Sequence, residues 1–137
     1  MRPITVRWDG GMRFTADIRG HAVSVDQPRQ AGGEDTGPMP AELVPAALGT
    51  CVALYVQQFL ATRGLDAAGL MVAVSTAGAA HPNRLARFDV RVNIPGGIPD
   101  RYRDAVRRAA EGCTVHHTLT HAPDIVVEVT SGVPTGA

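Results

Sequence analysis

Apolar and polar residues alternate through the first 25 positions, and turn residues separate the alternating runs. Ile4–Trp8 alternates and is followed by Asp9-Gly10-Gly11, which is typical of a hairpin turn. Met12–Ile18 then alternates as a return strand, and His21–Val25 follows the turn at Gly20 as a third strand. This pattern predicts a three-stranded antiparallel meander at the N-terminus.

A long loop and then a long helix are predicted next. Asp26–Pro40 is rich in Gly, Pro and acidic residues, and a loop of this length is often functional. The helix extends from about Pro40 to Arg63, with Pro40 in its first turn and Gly64 as its terminator. It is apolar nearly all round as far as Val56, so we expect it to be buried on most sides by a sheet or by a partner subunit.

The C-terminal half is predicted to contain two strands, then two helices and then a last strand. We predict strands at Leu70–Thr76 and Arg84–Ile94, helices at Asp100–Gly112 and Val115–His121, and a last strand at Asp124–Thr130 before a loose tail, Ser131–Ala137. Residues 1–137 contain no repeat and no linker, which predicts a single domain. The predicted fold class is α+β, with an antiparallel sheet, made of the meander plus the C-terminal strands, packed on a long buried central helix.

Composition narrows the class of function. The formal net charge is zero and there is no basic stripe, so we expect no nucleic-acid partner. The longest apolar stretch, Leu43–Tyr55, is short for a bilayer span and is interrupted by Pro45 and Gly49, and the N-terminus lacks the pattern of a signal peptide. We therefore expect a cytoplasmic protein with no membrane partner.

The sequence contains two cysteines, Cys51 in the apolar helix and Cys113 at the end of the charged helix. In a reducing cytosol such a pair is more often catalytic or metal-binding than a permanent disulfide. Without a CxxC motif, and with only scattered histidines, it would form a poor zinc site, so we predict no bound metal. A reactive thiol with a resolving thiol is the alternative, and Cys51 could equally be an inert core residue.

Two motifs identify a family resemblance. Gly37-Pro-Met-Pro-Ala-Glu-Leu-Val-Pro-Ala-Ala-Leu-Gly-Thr-Cys51, together with Cys113-Thr-Val-His-His-Thr-Leu119, resembles the OsmC/Ohr family of osmotically inducible and organic hydroperoxide resistance proteins. The similarity extends from Trp8 to Val129. It implies an intertwined homodimer of OsmC-like fold with active sites at the subunit interface. It also implies reduction of organic hydroperoxides by two cysteines, Cys51 as the peroxidatic and Cys113 as the resolving residue.

The resemblance also indicates which residues could activate Cys51. The hydroperoxide-resistance branch has a glutamate ten residues before the reactive cysteine, where this chain has Ala41; Glu42 is one residue later. Nine residues of helix subtend about 900°, so Glu42 and Cys51 would face opposite sides of a straight helix. Glu42 could orient an activating arginine or simply favour the helix dipole. The family arginine lies in the N-terminal strands, where Arg13 and Arg19 are the candidates.

Several alternatives stay open at this stage. His116, one turn after Cys113, could tune its thiol or be a partly buried polar residue. The chain could be a weakly catalytic or non-catalytic member that binds an apolar ligand in the dimer cleft, or a redox-sensing stress protein. As a peroxidase it would need no bound cofactor, but would need an external dithiol reductant, which the resemblance suggests is of the lipoyl type.

Overall fold

The computed structural model of the chain describes residues 1–133 and has two separate antiparallel sheets with three α-helices. The first sheet is a meander of β1 (Thr5–Trp8), β2 (Phe14–Ile18) and β3 (His21–Val25) in that order. The second is a hairpin of β4 (Met71–Ala79) and β5 (Arg84–Asn93). The helices are α1 (Pro40–Thr62), α2 (Arg103–Glu111) and α3 (Thr114–Thr120). Short 3-10 turns occur at Arg29–Ala31 and Asp100–Tyr102.

The α+β class and the elements predicted before residue 121 are confirmed, with shifts of a few residues at their ends. The prediction of one sheet is wrong, because the meander and the β4–β5 hairpin are not hydrogen-bonded to each other. The predicted strand Asp124–Thr130 is also wrong for the single chain. This segment pairs with no other strand, and its apolar side chains are exposed, as shown by the 80% exposure of Val127. Part of the predicted tail, residues 134–137, lies outside the described residues.

Helix α1 supplies most of the core, and within the single chain it is buried along one face. The expectation that a sheet or a partner subunit buries it on most sides stays a prediction. Its buried residues lie along one face, which packs on β4, β5, α2 and α3: Leu48, Gly49, Val52, Val56 and Leu60. On another side of the helix, Leu54 remains 52% exposed. The helix is also long and apolar enough to cross a membrane by length and composition alone, with a mean hydropathy of 1.5 over 18 residues. In this chain it packs as a core helix.

The loop before α1 is organised around one buried carboxylate. Asp26 has no exposed surface, and its side chain accepts hydrogen bonds from the backbone N–H groups of Gln27, Glu34 and Thr36 and from the Thr36 hydroxyl. Burial alone would raise the pKa of this carboxyl, but these four donors together lower it to about 2. The ionised side chain therefore fixes the path of the loop that leads into α1.

Candidate functional site

Cys51 lies near the middle of α1 and is half-buried. It packs beside the buried face of the helix, against the cluster that includes Val52, Val56 and Val106. The hydroxyl of the neighbouring Thr50 donates a hydrogen bond to the backbone carbonyls of Ala46 and Ala47, and the helix is continuous through this point. Cys51 is thus held on a rigid element while part of its surface stays accessible to solvent.

Cys113 is enclosed at the junction between α2 and α3, with no exposed surface. It is the N-cap residue of α3, and its Sγ accepts a hydrogen bond from the backbone N–H of His116 at 3.2 Å. Burial raises the pKa of the Cys113 thiol, and the neighbouring Cys51 side chain raises it further, whereas the backbone N–H groups of His116 and Val115 oppose both effects. Cys113 is therefore a protonated thiol at neutral pH.

The two cysteines, 62 positions apart in sequence, meet in the fold. Both are free thiols, and Cys51 packs against the buried cluster that contains Cys113, where its side chain raises the pKa of the Cys113 thiol. Helix α3 packs on α1, which brings its N-cap residue against the middle of α1. A half-exposed thiol in contact with a buried, protonated one is an arrangement that can form a disulfide after the exposed sulfur has been oxidised.

His116 contributes to this site through its backbone. Its N–H caps the Cys113 sulfur, while its buried Nδ1 has no hydrogen-bond partner among residues 1–133. The imidazole lines a groove of about 740 Å³ between β5 and the helices, whose other lining residues include Phe88, Val92, Val106 and Leu119. Across the described part of the chain, no group of three or more His, Cys, Asp or Glu side chains could hold a metal ion.

Glu42 has a capping role in this chain. Its Oε2 accepts a hydrogen bond from the backbone N–H of Met39 at 2.8 Å, which completes a capping box at the start of α1. This contact fits the reading of Glu42 as a residue that stabilises the helix start. Within residues 1–133, no hydrogen bond or ion pair joins Glu42 to an arginine or to Cys51.

The candidate arginines lie on the meander, away from the contacts that form the thiol site. Arg13 pairs with Glu34 of the loop, Nη1 to Oε2 at 3.0 Å, and both side chains are exposed. Arg19 occupies the tight turn between β2 and β3 with a φ of 56°. The structure therefore brings Cys51 and Cys113 together with the His116 backbone, and joins neither arginine to them in the part of the chain it describes.

Two residues beside the cysteines were missed as site residues from sequence. In the sequence, Tyr55 was considered only as the last residue of the apolar stretch Leu43–Tyr55, yet its hydroxyl lies 3.4 Å from the Thr114 hydroxyl. Tyr55 is four residues after Cys51, and Thr114 directly follows Cys113. The i, i+4 spacing from Cys51 puts Tyr55 on the same side of the helix, and this signal was available in the sequence.

These features define an α+β protein with a pair of facing thiols, one on a central helix and one at a helix junction. The family model described as OsmC-like protein matches residues 32–128, so the chain belongs to the OsmC-like protein family. A comparison with curated proteins finds no match.

Solved structures share the fold at low sequence identity. An OsmC-like protein of Mycoplasma pneumoniae is 16% identical, with a TM-score of 0.74 over 88% of this chain and 87% of the other. An organic hydroperoxide resistance protein of Elizabethkingia anophelis, crystallised with thiocyanate bound, is 18% identical, with a TM-score of 0.62 over 89% and 91%. A Legionella pneumophila protein, also described as an organic hydroperoxide resistance protein, is 16% identical, with a TM-score of 0.61 over 88% and 91%.

Proposed function

We propose that this protein is a thiol-dependent peroxidase that reduces organic hydroperoxides to alcohols. The observation that carries the proposal is the contact between a half-exposed Cys51 and a fully enclosed Cys113. Membership of the OsmC-like family and the fold shared with hydroperoxide resistance proteins support it.

The reaction proceeds in two balanced steps. The Cys51 thiolate attacks the distal oxygen of the hydroperoxide, the O–O bond breaks, and the alcohol leaves with a proton while Cys51 becomes a sulfenic acid. The Cys113 sulfur then attacks the Cys51 sulfur, water leaves, and a Cys51–Cys113 disulfide remains. The raised pKa of Cys113 favours this division of labour, because a buried thiol that stays protonated competes poorly for peroxide.

The catalytic cycle is completed by an external dithiol, and the lipoyl type is the reductant we propose. A dithiol can form a mixed disulfide and then release itself as its own cyclic disulfide, so no cofactor has to remain bound to the protein. The proposed setting is the cytoplasm, without a nucleic-acid or membrane partner.

A homodimer is part of the same proposal, and uncovered apolar surface supports it. The register of the meander places Trp8, Phe14 and Val25 side by side on one face, where Trp8 is 68% and Phe14 39% exposed. Exposed apolar surface of this kind is typical of an interaction site. A second copy covering this face would carry its own Arg13 and Arg19, which are the candidate cations for stabilising the Cys51 thiolate.

Turnover of cumene hydroperoxide with a lipoyl dithiol tests the proposed activity. Cys51→Ser is expected to abolish turnover, since it removes the sulfur that is oxidised. Without the dithiol, Cys113→Ser is expected to consume about one equivalent of peroxide and to stop at a sulfenic acid that dimedone traps. A wild-type protein whose thiols survive excess peroxide would overturn the proposal.

Binding of an apolar ligand is the second candidate function, and the groove that His116 lines favours it. Its lining is mainly apolar, and its volume of about 740 Å³ is that of a small-molecule site. Protein that binds a fluorescent fatty-acid analogue stoichiometrically, yet leaves hydroperoxide unreduced in the presence of dithiol, would favour this function over the peroxidase.

A further inference from the structure

A hydroxyl contact joins α1 to the beginning of α3 beside the pair of thiols. Cys51 meets Cys113, and one helical turn further along α1 the Tyr55 hydroxyl meets the hydroxyl of Thr114 at 3.4 Å. Because Thr114 directly follows Cys113 in the chain, the second contact holds the backbone that carries the resolving thiol.

The Cys113 sulfur caps helix α3 in the reduced protein, and disulfide formation interrupts this hydrogen bond. In the reduced protein it accepts the His116 N–H and caps α3, a helix of only seven residues. A disulfide requires an S–S distance of about 2.05 Å and a dihedral angle near 90°, so the sulfur must turn from the cap towards Cys51. A helix this short is marginal in isolation, and the loss of its cap weakens its first turn.

We propose that Tyr55 is a positioning residue for the resolution step. By holding Thr114 against α1, its hydroxyl keeps the Cys113 backbone in place while the sulfur exchanges its capping bond for the bond to Cys51. This inference rests on the proposed peroxidase function and adds a determinant of how efficiently the sulfenic acid is resolved.

Competition for the Cys51 sulfenic acid makes this role measurable. Attack by Cys113 forms the disulfide and releases water, whereas a second hydroperoxide molecule oxidises the sulfenic acid to the sulfinic acid and releases another alcohol. A slower resolution step shifts the products towards the sulfinic acid at a given peroxide concentration. Global destabilisation of the fold also slows this attack, so the urea midpoint of each variant is measured as well, and only a raised ratio at an unchanged midpoint supports the positioning role.

The experiment measures the ratio of sulfinic acid to disulfide by intact-mass spectrometry over a series of cumene hydroperoxide concentrations. Tyr55→Phe and Thr114→Val each remove one hydroxyl of the contact and are expected to raise this ratio roughly threefold, the effect of one weak hydrogen bond. Thr114→Ser keeps the hydroxyl and is expected to behave as wild type. Thr118→Val is the matched control, because the Thr118 hydroxyl bonds only to the Thr114 carbonyl within α3.

Combining Tyr55→Phe with Thr114→Val is expected to add little to either change alone, since both remove the same contact. An unchanged ratio in Tyr55→Phe, or an equal rise in Thr118→Val, would overturn the positioning role in a wild-type protein that forms the disulfide. A wild-type protein that forms no disulfide with peroxide would instead refute the proposed function itself.

Discussion

Asp26 and Cys113 are both fully buried, yet their pKa values are shifted in opposite directions. Burial raises the pKa of the Cys113 thiol, because the backbone N–H groups of His116 and Val115 do not fully offset the loss of water. Asp26 is buried as completely, but its four hydrogen-bond donors more than compensate and lower its pKa. Which of the two outcomes applies depends on the number of donors that the local backbone directs at the side chain.

The surroundings of the cysteines predict different reactivities towards an alkylating agent. In the reduced wild-type protein at pH 7 to 8, iodoacetamide is expected to modify Cys51 before Cys113, since Cys113 is enclosed and protonated. Modification of Cys113 is expected to accelerate only above its ordinary pKa of 9.0. Time-resolved peptide mapping measures both rates, and faster labelling of Cys113 at pH 7 would contradict the assignment.

Asp26 predicts a defined loss of stability in acid. Its pKa in the folded chain, about 2, lies below the ordinary value of 3.8, so its stabilising effect is complete above about pH 4 and disappears as the pH falls towards 2. Asp26→Asn is expected to be less stable than wild type in urea at pH 7, with a difference that shrinks over that window. A difference that stays constant between pH 5 and pH 2 would show that the charge is not responsible.

For the helices and strands, the predictions from sequence succeeded where the apolar residues formed a clear periodic or continuous pattern. The strands of the meander and helix α1 have strong periodic or continuous apolar signals, and their positions were predicted to within a few residues. The partners of each element were harder to predict. An all-apolar pattern shows that α1 can be buried, but it does not show which neighbours cover it, and in the single chain only one face is covered.

The loop around Asp26 predicts unequal effects for two glycine substitutions. A Cβ atom at Gly33 would lie 1.9 Å from the Gln27 carbonyl oxygen, whereas at Gly78 the nearest atom, the Arg84 oxygen, would lie at 3.6 Å. Gly33→Ala is therefore expected to lower the free energy of unfolding by about 1–3 kcal/mol. Gly78→Ala is expected to change it by less than about 0.5 kcal/mol. Equal urea midpoints for the two variants would contradict this packing.

At the scale of the whole molecule, the single chain leaves two strand-like regions without cover. The sequence of Asp124–Thr130 predicted a strand, but among residues 1–133 this segment forms none, and Ile125, Val127 and Val129 are exposed. The apolar face of the meander is likewise open. The sequence pattern shows that these segments are apolar. What covers them depends on contacts that a single chain does not contain. For the same reason, the cation next to Cys51 could not be identified from sequence.

The dimer proposal predicts a change around Trp8, the only tryptophan. Its 68% exposure in the single chain is expected to fall when a second copy covers the meander, so its emission should shift to the blue as protein concentration rises. Phe14→Glu is expected to weaken association by placing a charge on the apolar face. Ser24→Glu, at an exposed position on the opposite face of the neighbouring strand β3, is the control. Sedimentation equilibrium showing a monomer at all concentrations would contradict the dimer.

The pairing of Cys51 with Cys113 is the central claim, and disulfide mapping tests it most directly. Reduced protein is treated with about one equivalent of cumene hydroperoxide, blocked with an alkylating agent, digested and analysed by mass spectrometry with and without a reductant. The expected product is a linked pair of peptides that contain Cys51 and Cys113 of one chain, separable by reduction. Recovery of both cysteines as alkylated free thiols after the peroxide has been consumed, or of Cys51 linked only to Cys51 of another chain, would contradict it.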